Sequence, residues 1–445
     1  MFRRRGSADS PLARAEVAVA AGILAAGGAF IGYAGRFWSF FYDEWGLILY
    51  RRAGGASSFL AAHNGHLQAV VVGTYRLLFA TVGLRSYHPY AAVVIGAHLV
   101  VVALVYRYAR PRIGSLPAAL VSLPLLLLGS AWQVLFWAIN LGFVIPIIVL
   151  CLLLLIERWR PWVVATLLLV ALASSGLGVA VVAAAGVLAC SGKDRRLRLL
   201  SVAIPAGLYA AWFVFYRPNG LPPAPLRSIP GASPTGDVGF IHFPLGNIAR
   251  APGYILHSAK AAADALSATG TSGGWWTLLA LTVAIACGIG LRRRITFRLA
   301  ALVAALGVFW LETALTRAHV ASPESPGASR YLYPGAVLLV LILIEVFDGV
   351  RIPPPAVLVL AVGVGAVLVS DVDILRSYGR AARVAFAREA ALLRRAACDP
   401  ASAPGYRPDP LRAPGVTVGP YRAAVRALGF PPGQACPDGE RTHVV

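Results

Sequence analysis

The sequence predicts an all-α polytopic membrane protein, with about eleven transmembrane helices and interfacial helices in the first outer loop. Three observations predict it. Of 445 residues, 58% are hydrophobic and only 13% are charged, whereas ordinary globular chains carry about 25% charge. The mean hydropathy is +0.71. Apolar runs approaching the roughly 20 residues of a membrane-spanning helix recur along the chain. So few charges cannot cover a soluble particle of this size, which excludes a soluble enzyme, a disordered protein and a coiled coil.

The spans fall at 17–35, 89–107, 116–131, 141–157, 161–173, 177–190, 199–216, 275–291, 299–315, 331–347 and 355–371. Arg3-Arg4-Arg5 before the first run imitates a signal peptide. With ten spans to follow, it reads as an uncleaved anchor. Segment 67–83 is apolar but carries Gln68, Thr74, Tyr75 and Arg76. Arginine at mid-bilayer costs at least a few kcal/mol, so this segment reads as an interfacial helix. The pair 161–173 and 177–190, parted by Ser174-Ser175-Gly176, reads as a hairpin.

Charge orients the bundle. With 67–83 on the surface and the N-terminus inside, the inner loops collect 18 bases against five acids. That asymmetry is the positive-inside pattern. The net charge of +21 is therefore chiefly a topology signal, and no nucleic-acid partner is implied. The C-terminus falls outside. The predicted organisation is a transmembrane domain, 1–371, with outer loops at 36–88 and 217–274, and an extracytoplasmic tail, 372–445. The second loop is Pro-rich, with a helix expected near 250–268. The tail opens on a helical stretch, 376–397. Cys151, Cys190 and Cys287 fall in spans as small apolar fillers. Cys398 and Cys436 share the outer tail, as a disulfide or as two thiols.

Chemistry-bearing residues cluster at the outer face. Asp43 and Glu44 sit in the aromatic stretch Arg36–Trp45. They are either solvated acids beside Arg36, Arg51 or Arg52, or carboxylates placed as general base or metal ligand. His63-Asn64-Gly65-His66 is either a polar entry to the interfacial helix or a substrate or metal contact. Arg317, His319, Arg330 and Tyr331 flank the last outer loop. There an arginine either snorkels to the interface or grips a phosphate through its forked donors. Glu312 is an intramembrane acid, and so a functional candidate. His98 reads as a helix–helix hydrogen bonder. P-loop, Rossmann, HExxH and nucleophile-elbow signatures are absent, as is the internal repeat of many transporters.

The order of these features resembles the GT-C-type integral membrane glycosyltransferases over roughly 1–371. The match lies in a first span, an outer loop with Asp43-Glu44, then His66-Leu67-Gln68 leading to Tyr75-Arg76-Leu77-Leu78-Phe79, and later Ser329-Arg330-Tyr331. The resemblance implies a GT-C-like fold and a polyprenyl-phosphate-linked sugar as donor, bound among membrane lipid at the outer face of a bacterial plasma membrane. The acceptor would be a glycan, lipid or protein. Asp43, with Glu44 beside it, would act as general base or hold a divalent metal. Arg330 and Tyr331 would stabilise the leaving phosphate, and His66 would touch donor or acceptor. A single displacement would invert the anomeric carbon. The alternatives are a transporter or flippase of a lipid-linked substrate and a non-catalytic membrane scaffold.

Overall fold

The computed structural model describes residues 11–52, 54–63, 65–192, 194–216, 245–267, 270–292, 295–319 and 326–436. The basic start, Asn64 and the Pro-rich part of the second outer loop lie outside them. The regular structure of the described residues is all helical, without a strand. Nine helical segments among them are long and apolar enough to cross a membrane, as befits a polytopic membrane protein.

Helix α1 (Pro11–Ala34) opens on a proline, whose fixed φ and missing N–H suit a first turn. The segment expected as the first outer loop follows, with α2 (Asp43–Tyr50), α3 (Ser57–Leu60) and α4 (Ala69–Thr81). The last is the interfacial segment of the sequence reading. It is a short helix of 13 residues, about 20 Å long at 1.5 Å per residue. Helix α5 (His88–Ile113) ends at Gly114, whose φ of 91° an L side chain rarely adopts. The chain reverses into α6 (Ser115–Leu126), then α7 (Trp132–Phe136) between two 3-10 turns, and α8 (Leu141–Leu155).

The hairpin α9 (Pro161–Leu172) and α10 (Leu177–Ala189) turns at Ser174-Ser175-Gly176. Each arm is shorter than the ~30 Å hydrocarbon core. Helix α11 (Arg195–Ala211) continues in a wider turn to Tyr216. Helices α12 (Leu245–Ser267) and α13 (Gly270–Arg292) form the next pair, and α12 takes the place of the helix expected near 250–268. Thr296 caps α14 (Phe297–Arg317), its hydroxyl accepting the Leu299 N–H at 3.0 Å. Helices α10 and α14 pack closely, and both bury alanines, Ala180, Ala184 and Ala185 on one and Ala301 and Ala305 on the other, which suits a close approach.

Helix α15 (Ser329–Val346) is the centre of the bundle, buried along almost its whole length. His98 joins it to the second span. Its Nε2 lies 3.1 Å from the Leu126 carbonyl and its Nδ1 lies 3.0 Å from the Tyr333 hydroxyl. The carbonyl can only accept, so Nε2 carries the proton and Nδ1 accepts from the tyrosine. At the other end Glu345 accepts from Tyr108 (2.5 Å), Arg112 (3.2 Å) and Thr296 (2.9 Å), a knot of three elements.

Helix α16 (Pro354–Cys398) runs 45 residues without a break, about 67 Å. The sequence reading placed a span end at 371 and a separate tail helix at 376–397; one rod carries both. Asp371 does not stop it, because its Oδ1 accepts the Gly129 N–H at 2.8 Å. The tail ends in α17 (Val418–Leu428) and is closed by a Cys398–Cys436 disulfide.

Candidate functional site

Helix α2 presents its two carboxylates to opposite surroundings. Glu44 is fully buried. Its Oε2 accepts the Phe41 N–H at 2.9 Å, and its Oε1 accepts the Tyr75 and Tyr87 hydroxyls, the latter at 3.0 Å. Burial pushes this carboxyl up to about 8, against the hydrogen bonds that pull it down. Glu44 thus fastens α2 to α4 and to the start of α5. Asp43, at the first position of α2, is half-buried. Both acids sit favourably at the positive end of the helix dipole.

Tyr42, just before Asp43, has φ 45°, the one non-glycine residue in the left-handed region among those described. Such a conformation costs about 1–3 kcal/mol and persists only where its surroundings impose it. The surroundings here are the tail: the Tyr42 N–H donates to the Arg412 carbonyl at 3.1 Å. Asp409 fixes that turn by accepting the N–H groups of Leu411 (3.2 Å) and Arg412 (3.1 Å).

The histidines face the other side of α2. His63 and His66 pair backbone to backbone, at 2.9 and 3.0 Å, and close a tight turn. A Cβ on Gly46 would stand 3.1 Å from the His63 ring, so the absent side chain makes room for it. Residues three apart share a helix face, so Asp43 lies one turn from that contact, on the histidine side. His63 is buried, with no partner at Nε2. Burial and the nearby Arg51 push it down to about 3, so it is a neutral imidazole. Arg51 itself is held by the carbonyls of Ser58, Ala61 and Ala62. Arg76 donates to the carbonyls of Arg51 (2.8 Å) and Gly54 (3.1 Å) and lies over the Phe59 ring. These two arginines therefore pin the 51–62 segment.

His66 reaches the bundle. A Cβ on Gly176 would lie within 2.8 Å of both the His66 ring and the Glu312 carboxylate. The hairpin turn between α9 and α10, the outer part of α14 and the first outer loop therefore meet at one point. The Ser175 hydroxyl donates to the Gly142 carbonyl at 2.6 Å. One residue further, Phe143 contacts the Tyr331 ring at 6.3 Å. Arg330 lies beside Tyr331, its guanidinium over that ring and its N–H on Gln133 Oε1 at 3.3 Å. Arg317 ends α14, half-buried. His319 is exposed, its Nδ1 3.0 Å from the Asn247 amide of α12.

The structure thus places His66 against Glu312, His63 against the Asp43 face of α2, and Tyr331 beside Phe143 next to them. Glu44 stands apart, enclosed by tyrosines. Both Glu44 oxygens are taken by protein donors, which leaves Asp43 as the one carboxylate of the pair for a metal. Among the described residues no group of three or more His, Cys, Asp or Glu is placed to hold a metal ion. The donor set does not fit a resident cation. Gly176 and Gln133 were not legible as site residues, since a turn glycine and a lone glutamine carry no chemical signature in sequence. No family model matches the chain, and no curated protein and no solved structure matches it.

Proposed function

We propose that the chain is a membrane glycosyltransferase of GT-C type. It transfers a sugar from a polyprenyl-phosphate donor to a glycan, lipid or protein acceptor at the outer face of a bacterial plasma membrane. The observation that carries the reading is the meeting of an acid-bearing loop helix, a histidine turn and an intramembrane acid at one end of the bundle, next to two arginines. Asp43 takes the proton of the acceptor hydroxyl as that oxygen attacks the anomeric carbon. The bond to the donor phosphate breaks in the same step, with inversion. Arg330 and Arg317, flanking the last outer loop, offset the charge that gathers on the leaving phosphate. His63 and His66 line the cleft between.

The test is transfer of radiolabelled sugar from a panel of polyprenyl-phosphoryl sugars in membranes carrying the wild-type protein, Asp43→Asn or Arg330→Ala. Asp43→Asn is expected to lower turnover at least a hundredfold at unchanged protein level, and Arg330→Ala chiefly to weaken donor binding. Full activity in Asp43→Asn removes the base. Movement of intact lipid-linked sugar across the bilayer, without transfer, supports the flippase reading instead.

A further inference from the structure

The contact at Gly176 carries more than the general reading. His66 of the 63–68 loop and Glu312 of α14, far apart in the chain, meet there. Glu312 Oε2, His63 Nε2 and Gln68 Oε1 are closed off from solvent and have no hydrogen-bond partner. His63 is at least nine-tenths buried. A buried polar group without a partner costs free energy comparable to a lost hydrogen bond. Glu312 Oε2 at Gly176, with His63 Nε2 and Gln68 Oε1 on the short loop that carries His66, points to a polar occupant. Glycine stands beside these side chains at two points. A side chain on Gly176 would run into Glu312 and His66, and one on Gly46 would crowd His63.

The set has a definite chemistry. A carboxyl, a neutral imidazole and an amide oxygen suit adjacent hydroxyl groups, which both donate and accept. The cation beside His63, Arg51, is already held by three backbone carbonyls, so the set favours hydroxyls over a phosphate. Other cationic groups stand further out. Arg317 lies five residues beyond Glu312 on α14, about 7.5 Å along the axis, and Arg330 opens the helix across the loop. Phosphate at the arginines and hydroxyls at Glu312 are then offset by the order of one sugar ring.

We infer that Glu312, His66, His63 and Gln68, around Gly176, form a hydroxyl-binding subsite that takes the donor's sugar ring. The inference rests on the glycosyltransferase reading and names where that substrate's sugar sits. It adds Glu312, Gln68 and Gly176 to the site.

The experiment measures binding of two probes to purified protein in nanodiscs, by intrinsic tryptophan fluorescence: bare polyprenyl monophosphate and polyprenyl-phosphoryl sugars with pentose and hexose headgroups. Wild type is expected to bind one sugar-bearing lipid at least tenfold more tightly than the bare phosphate. Glu312→Gln and Gly176→Ala, the second leaving every polar group in place, are expected to lose that preference. Both are expected to keep the wild-type affinity for bare polyprenyl phosphate, which also shows that they fold. A preference that survives in both variants, or is absent from wild type, overturns the subsite and leaves the glycosyltransferase reading standing. Failure of wild type to bind either lipid overturns both.

Discussion

Glu44 and His63 show how one short helix separates two environments. A carboxyl enclosed by Tyr75, Tyr87 and the Phe41 amide is held up to about 8, while an imidazole across the helix is held down to about 3. Their effects on stability run in opposite directions with pH. The Glu44 pKa is raised on folding, so its contribution is full below the unfolded value, about 4.3, and is lost as pH rises through about 8. The His63 pKa is depressed, so its contribution is full above about 6.5 and is lost as pH falls through about 3. Glu44→Gln keeps the shape and removes the ionisation. Thermal melts from pH 5 to 9 are expected to show a wild-type Tm that falls toward alkaline pH and a flatter Glu44→Gln curve. Parallel curves would mean that Glu44 does not carry the alkaline limb. The adjacent pair of acids was legible in sequence as chemically unusual. Which of the two faces inward was not, because the tyrosines that claim Glu44 come from α4 and α5.

Among the elements, α16 is the clearest departure from the sequence reading. The sequence reading ended a span at 371, yet the helix continues through Asp371, which accepts the Gly129 N–H, and a line of contacts supports the rest. Gly379 meets the Ala34 carbonyl, Trp132 stacks on Tyr378 at 4.1 Å, and Trp38 meets Phe386 at 5.0 Å. Further out, the Trp45 indole donates to Glu389 at 3.1 Å. A Cβ at Gly379 would enter the Ala34 backbone, which cannot yield as a side chain can. Gly379→Ala is therefore expected to destabilise the α1–α16 contact by about 1–3 kcal/mol, read as a lower Tm; an unchanged Tm would show that the two helices part easily. Hydropathy located the apolar half of the rod. Continuity depended on partners hundreds of residues away, which no local pattern records.

At the scale of the whole molecule, the tail covers the first outer loop. Leu84 donates to the Leu428 carbonyl at 2.9 Å, Tyr50 to that of Gly415 at 3.1 Å, and Trp45 meets Tyr421 at 5.7 Å. The Cys398–Cys436 disulfide closes the tail on itself, and such bonds persist in oxidising compartments. The proposed outer location of the tail is such a compartment. Impermeant maleimide on whole cells is expected to label Ala403→Cys, an exposed tail position, and to spare Arg196→Cys, exposed at the start of α11. The reverse pattern would invert the proposed orientation. The membrane class and the helix break at 174–176 were legible because hydropathy and the small polar residues of the turn encode them directly. The covering of one loop by the tail was not, since it is built from backbone carbonyls and aromatic edges.

The bond from Tyr42 to Arg412 also has a consequence for biogenesis. The acid-bearing helix is synthesised several hundred residues before the carbonyl that holds its strained entry. Until then nothing from the tail imposes that conformation. A chain made past Tyr331 but not as far as Arg412 would carry Asp43, Glu312 and Arg330 and still lack the bond that holds Tyr42 in place.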